Sequence, residues 1–154
     1  MSTKKVKLTS AGVFVGCAFI AWRVAWATIG QGISTIEIVH ASMLPEIDVK
    51  TDEVKLKTKG SSDIWVVVNT ISPGGHTGWH SHPGPSIISV KAGTATEYHG
   101  DEPNTPHVHV AGSSFIDAGE HSHIIRNEGD TNLELVAFQI LPSGAPRRID
   151  QPAP

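Results

Sequence analysis

The residues of this chain best equipped for chemistry are four histidines in two His-x-His pairs. His80-Ser81-His82 is the first, and His121-Ser122-His123 repeats the spacing about forty residues on. In an extended strand residues i and i+2 project to one face, so His80 and His82 stand together while Ser81 points away. Two imidazoles held side by side on a stiff strand are half of a metal site, and the second pair offers donors for the other half. The first pair sits in Gly74-Gly75-His76-Thr77-Gly78-Trp79-His80-Ser81-His82-Pro83-Gly84-Pro85-Ser86, bracketed by turn formers and flanked by β-branched runs. The one cysteine, Cys17, lies far upstream in an apolar leader. A chain cut after that leader has no disulfide and no thiolate, so any metal must be held by nitrogen and oxygen.

The elements that must position these histidines are strands. The chain has 154 residues, one domain's worth, with 15 glycines, 10 prolines and many Val, Ile and Thr residues, which favours a β fold rich in turns. Val54, Leu56 and Thr58 alternate with Lys55, Lys57 and Lys59 as in a half-buried strand, and Ile64–Ile71 reads as an apolar strand covered on both faces. Ser72-Pro73-Gly74-Gly75 ends it. Further strands are expected over Ser86–Val90, Thr94–His99, His107–Val110, Ser113–Asp117, His121–Asn127 and Leu133–Leu141, with Gly100–Pro106 an exposed polar loop. No helix is expected after the leader. The organisation that results is a leader over 1–27, a connector over 28–48, a barrel over 49–141 and an extended, proline-rich tail over 142–154 draped on the surface.

The leader itself reads as a targeting segment. Lys4, Lys5 and Lys7 precede an apolar run from Ala11 to Trp22, and Ala25-Trp26-Ala27 has the small-x-small pattern of a signal-peptidase site. A cleaved signal peptide and an exported product are the preferred reading. An uncleaved membrane anchor and a cytosolic amphipathic start are the alternatives. Formal charge is −3 overall, but residues 1–27 hold four cations and no acid, leaving eight basic and fifteen acidic residues, a net of −7, in the rest. A nucleic-acid binder needs clustered cations to displace counterions, so that partner is not expected.

The histidine stretch resembles the first motif of the cupins, small double-stranded β-helix barrels of the jelly-roll type with a metal at one end. Five residues separate Gly74 from His80, His80-Ser81-His82 matches the His-x-His, and Gly93 closes the motif; Ser86 stands where the family has a glutamate. The second motif is matched by Gly112, His123 and Asn127, while Ala118 replaces its proline and the glycine comes one place early at Gly119. The resemblance spans residues 49–141. It implies an all-β barrel with His80, His82 and His123 as ligands to one divalent transition metal, Fe, Ni, Cu, Zn or Mn, and it implies a homodimer. With Ser86 in place of the glutamate the three-histidine site is neutral, and the serine hydroxyl is better suited to orienting a water than to ligation.

Other residues have two readings each. In the usual register Ala95 and Glu97 face inward, making Glu97 a candidate distal ligand or catalytic proton-handling group; a one-residue slip, the preferred reading, leaves it in solvent. His121 is a fourth ligand or a hydrogen-bond donor to one of the ligands, or else a rim histidine. His76 is expected on the rim, His107 and His109 on a polar strand face, and Trp79 in packing. Ile88, Val90, Ile116, Ile125 and Phe138 are expected to wall a dry cavity. Two functions follow. The first is a non-haem, metal-dependent oxygenase or related oxidoreductase of the cupin type, acting on a small organic molecule. The alternative is a non-catalytic, exported module that captures a metal or small ligand.

Overall fold

Leu133, Leu135, Ala137, Gln139 and Leu141 alternate with Glu134, Val136, Phe138 and Ile140, the period of two that a pleated strand needs. In the computed structural model, which describes residues 26–154, this stretch is β11 (Leu133–Pro142), with its odd-numbered residues buried. It pairs antiparallel with β4 (Ser62–His76), Leu133 opposite Ile71 and Ala137 opposite Val67, so the buried sets of both strands fall on one face. Among the described residues there are twelve strands and no helix.

Ten strands make one continuous sheet that divides into two halves. One half runs β1 (Gln31–Leu44), β4, β11, β6 (Ser86–Ala92) and β9 (Ser114–Asp117). The other runs β12 (Ile149–Asp150), β5 (His80–Ser81), β10 (His123–Arg126), β7 (Thr94–His99) and β8 (Glu102–Val110). They meet where Arg126 of β10 pairs with His76 of β4. The result is a nearly closed double-stranded β-helix barrel. Val67, Ile71, Ile88, Val90, Ala95, Ile125, Leu133, Leu135 and Ala137 form its core. Burying each of the larger aliphatic side chains contributes about 1.5–3 kcal/mol.

Two motif positions have purely structural work. Gly93 has φ 75° in the turn from β6 to β7, and a Cβ there would lie 2.7 Å from the Asn132 carbonyl oxygen, so no other residue fits. Asn127 is buried, its Nδ2 donating to the carbonyls of Ile71 and Thr131 at 2.8 Å each, while its Oδ1 accepts the Gly129 N–H at 3.1 Å. It pins the β10–β11 turn against β4.

The structure differs from the sequence expectations at several elements. Residues 28–48, expected as a connector, supply β1, fourteen residues long and paired along β4. Register shifts at Gln31/Ile33, Glu37/Val39 and Ala41/Leu44 break its alternation and hide it in the sequence. The half-buried strand expected over 54–59 is instead an exposed two-stranded hairpin, β2 (Asp48–Lys50) with β3 (Lys55–Lys57). β4 continues through Pro73-Gly74-Gly75 to His76, and β8 begins at Glu102 within the expected loop. Ile116 and Phe138 face outward, 70 % and 37 % exposed, because Ile116 and Phe138 both pair with the outward Ile87. Their inward neighbours are Phe115 and Ala137. The leader, apart from Trp26 and Ala27, lies outside the described residues, among which no helix is long and apolar enough to cross a membrane.

Candidate metal centre

Inside the barrel His80, His82 and His123 converge. His80 opens β5 and pairs with His123, the first residue of β10; His82 follows β5 by one residue. All three are buried, with ring centroids 4.3–5.5 Å apart. One ligand atom from each lies within 4.8 Å of the others. Among the described residues they are the one group of three His, Cys, Asp or Glu side chains so placed.

Their tautomers are set by the backbone. The Nδ1 of His80 faces the Gly78 carbonyl at 2.9 Å, that of His82 the Arg147 carbonyl at 2.6 Å, and that of His123 the His121 carbonyl at 3.4 Å. A carbonyl only accepts, so each Nδ1 carries the proton and donates it, leaving the Nε2 lone pair for a cation. Burial holds the His80 pKa well below the ordinary histidine value, with the charges of His123, Arg148 and His82 adding to the effect. Burial also lowers His82 to about 4. Both rings are therefore neutral near pH 7, as ligation requires.

A carboxylate from another strand lies beside the histidines. Asp117, the last residue of β9, lies opposite Ser86 in the β6–β9 ladder. Its Oδ1 accepts the Gly119 N–H at 2.8 Å, which fixes the side chain. Its Oδ2 lies 3.5 Å from His82 Nε2 and 3.7 Å from His123 Nε2. Asp117 Oδ2 and His123 Nε2 are both buried without a hydrogen-bond partner. Orphaned buried polar atoms are costly, and a cation between them satisfies both. Three neutral imidazole nitrogens and one carboxylate oxygen fit a divalent transition metal such as Fe, Ni, Cu, Zn or Mn. Sequence reasoning passed over Asp117; its signal was an acid directly ahead of the degraded Ala118-Gly119 turn, where Gly119 has φ 82° and a Cβ would meet the Gly84 carbonyl oxygen at 2.6 Å.

The remaining candidates are placed as follows. Ser86 is buried and lines the cavity beside the centre, its hydroxyl accepting from Gln139 Nε2 at 3.0 Å. His121 is exposed, because β10 starts only at His123 and the strand parity does not reach back to it; what it contributes is its carbonyl. Glu97 is 3 % exposed, so the register slip that would leave it in solvent is corrected. It is not brought to the three histidines. His109 Nε2 lies 3.1 Å and His99 Nε2 3.7 Å from its Oε2, an inner cluster on β7 and β8 that sequence reading treated as a polar strand face. His76 is half-buried, its Nδ1 accepting the Gly78 N–H, and Trp79 is buried in packing.

A cavity of about 250 Å³ opens beside the centre. Ile33, Ile88, Ile125, Leu135 and Ala137 give it an aliphatic wall, and Arg147, Arg148 and Asp150 line it from the tail. The tail is held there: β12 pairs with β5, Ile149 opposite Ser81, and Gln151 donates its N–H to the Trp79 carbonyl at 2.9 Å.

A barrel of two facing half-sheets with a histidine cluster within defines a class, the double-stranded β-helix proteins. No family model matches the sequence, and no curated protein matches it. Solved structures do match in fold. The polyketide cyclase RemF of Streptomyces resistomycificus aligns over 79 % of this chain and 72 % of its own, at 11 % identity and TM-score 0.54. A cupin 2 conserved barrel domain protein of Leptotrichia buccalis aligns over 70 % of this chain and 40 % of its own, at 15 % identity and TM-score 0.50. Peruvianin-I, a cysteine peptidase from Thevetia peruviana latex, aligns over 80 % and 69 %, at 18 % identity and TM-score 0.55. At such identities likeness speaks for architecture and not for activity. The chain has the cupin fold.

Proposed function

We propose that the protein is a metal-dependent enzyme of the oxygenase type, acting on a small organic molecule at a centre held by His80, His82 and His123. The observation that carries the reading is the pair of orphaned buried atoms, His123 Nε2 and Asp117 Oδ2, 3.7 Å apart beside a half-open cavity with an aliphatic wall. When bound, a redox-active metal would supply Lewis acidity and dioxygen chemistry. The chain's own contribution is to keep the three rings neutral and fixed, to balance part of the cation's charge with Asp117, and to offer an aliphatic wall beside the centre. Six-coordinate metals with four protein donors keep two positions for other molecules, which supports catalysis over storage. The fourth donor also favours a second reading, a tetrahedral, closed shell in a non-catalytic binding module.

Metal analysis of the purified chain beside a His82→Ala variant tests this. Stoichiometric iron, nickel, copper, manganese or zinc that vanishes in the variant is expected, with dioxygen uptake then screened on the redox-active form. A chain that retains no metal and binds none on reconstitution refutes the reading. Stoichiometric zinc with no activity on any small molecule turns it toward the binding module.

A further inference from the structure

The cavity is too small for a drug-sized ligand and too charged for a hydrocarbon. Ligand pockets of that larger kind span roughly 300–1,000 Å³. At about 250 Å³, this one has the volume of about eight liquid waters. Its two arginines are unusual for a chain whose described residues are acidic in balance. They come from the tail, Arg147 and Arg148 in succession, and both side chains are half-buried and line the cavity.

Neither guanidinium is used up. Arg148 gives Nε to Asp150 Oδ1, and Arg147 reaches Gln139 Oε1 only at 3.5 Å. A guanidinium has five N–H donors, so most remain for a ligand. Their charges reach the centre, since Arg148 acts to lower the His80 pKa and Arg147 that of His82. Asp150 in the lining and Glu37 beside Arg147 offset part of this charge. Two cations in a small, half-closed cavity attract an anion strongly, because the field is poorly screened there. The planar forks match a carboxylate in two-point geometry.

Building on the metal-centre reading, we propose that the pocket takes a small organic carboxylate. Its acid group sits between Arg147 and Arg148, and its carbon skeleton lies against Ile33, Ile88, Ile125 and Leu135 beside the three histidines. The tail is thereby a substrate-recognition element as well as a covering strap.

Calorimetric titration of the full chain at fixed ionic strength tests this, using butyrate and benzoate against their uncharged isosteres butyramide and benzamide, with inorganic phosphate as a third probe. Each is measured on metal-free and metal-reconstituted protein, with metal content scored separately. At least one acid is expected to bind about tenfold or more tightly than its amide in the metal-free form, where the arginines alone discriminate. An Arg147→Gln/Arg148→Gln double variant should lose about 10- to 100-fold in acid affinity with amide affinity unchanged. Arg147→Lys, which keeps the charge but loses the fork, should fall between them. Acids that bind no better than amides, a folded double variant with wild-type acid affinity, or phosphate binding more tightly than either acid overturns the proposal. Acid selectivity in a chain that holds no metal would leave this proposal standing and remove the metal reading; metal retention without acid selectivity would do the reverse.

Discussion

Asp117→Asn separates the role of the β9 carboxylate from its structural surroundings. Asn keeps Oδ1, which accepts the Gly119 N–H at 2.8 Å, so the turn is preserved. What changes is the atom 3.5 Å from His82 Nε2 and 3.7 Å from His123 Nε2, from a carboxylate oxygen to an amide NH₂. Two effects of opposite sign follow. With metal present, the negative charge balancing the cation is lost; replacing even a carboxylate that acts only through a ligating histidine costs ~10- to 100-fold in metal affinity, so at least that loss is expected of a donor. That loss corresponds to ~1.4–2.7 kcal/mol. Without metal, a buried carboxylate oxygen lacking any hydrogen-bond partner is removed. Such a group carries a penalty of about 1–3 kcal/mol, and the amide can donate to the unprotonated Nε2 atoms instead. The metal-free variant should therefore be more stable than the wild type by on the order of 1 kcal/mol, although it binds metal more weakly. Chelator competition with zinc or cobalt measures the first effect and urea unfolding of metal-free protein the second. Unchanged metal affinity together with lower metal-free stability would refute the placement of Asp117 in the centre.

Two further outcomes are expected. His80 and His82 have pKa values depressed by burial, His82 to about 4, so the unfolded chain takes up protons before the folded one. Metal-free stability should be full above pH ~6.5 and fall as the pH drops toward 4, by about 3 kcal/mol for His82 alone; a urea midpoint flat across that window contradicts the buried, neutral assignment. Asn127→Ala strands the Ile71 and Thr131 carbonyls and the Gly129 N–H. It should cost about 2–4 kcal/mol in urea unfolding, and a loss under about 1 kcal/mol would show that solvent replaces those bonds.

The site was legible where it was local. His80 and His82 share a face because of their i, i+2 spacing, and the glycines around them announce the turns, so both could be assigned from the sequence. Asp117 was not legible, because its approach to the rings depends on which residue of β9 faces Ser86, a register fixed by non-local pairing. The same one-residue parity decides Ile116 and Phe138: on paper they share the apolar character of Phe115 and Ala137, and only the ladder shows which of each pair turns inward. Glu97 shows the reverse case. A lone buried acid is costly, which argued for solvent, but His99 and His109 on the same hairpin supply the partners that let it stay inside. β1 escaped notice because bulges scramble a period that a straight strand would have displayed.

Two segments far apart in sequence meet beside β5. Ala27 bridges to Pro152, and Thr28 donates its N–H to the Gln151 carbonyl at 3.0 Å and its hydroxyl to the same oxygen across 123 residues of sequence. Contacts so distant along the chain carry the greatest loop-closure entropy and are the natural last step of assembly, after the strands that carry the histidines have paired. The tail that carries Arg147 and Arg148 is thus fastened both to β5 and to residues 27–28, so its position at the cavity depends on pairing across nearly the whole described chain.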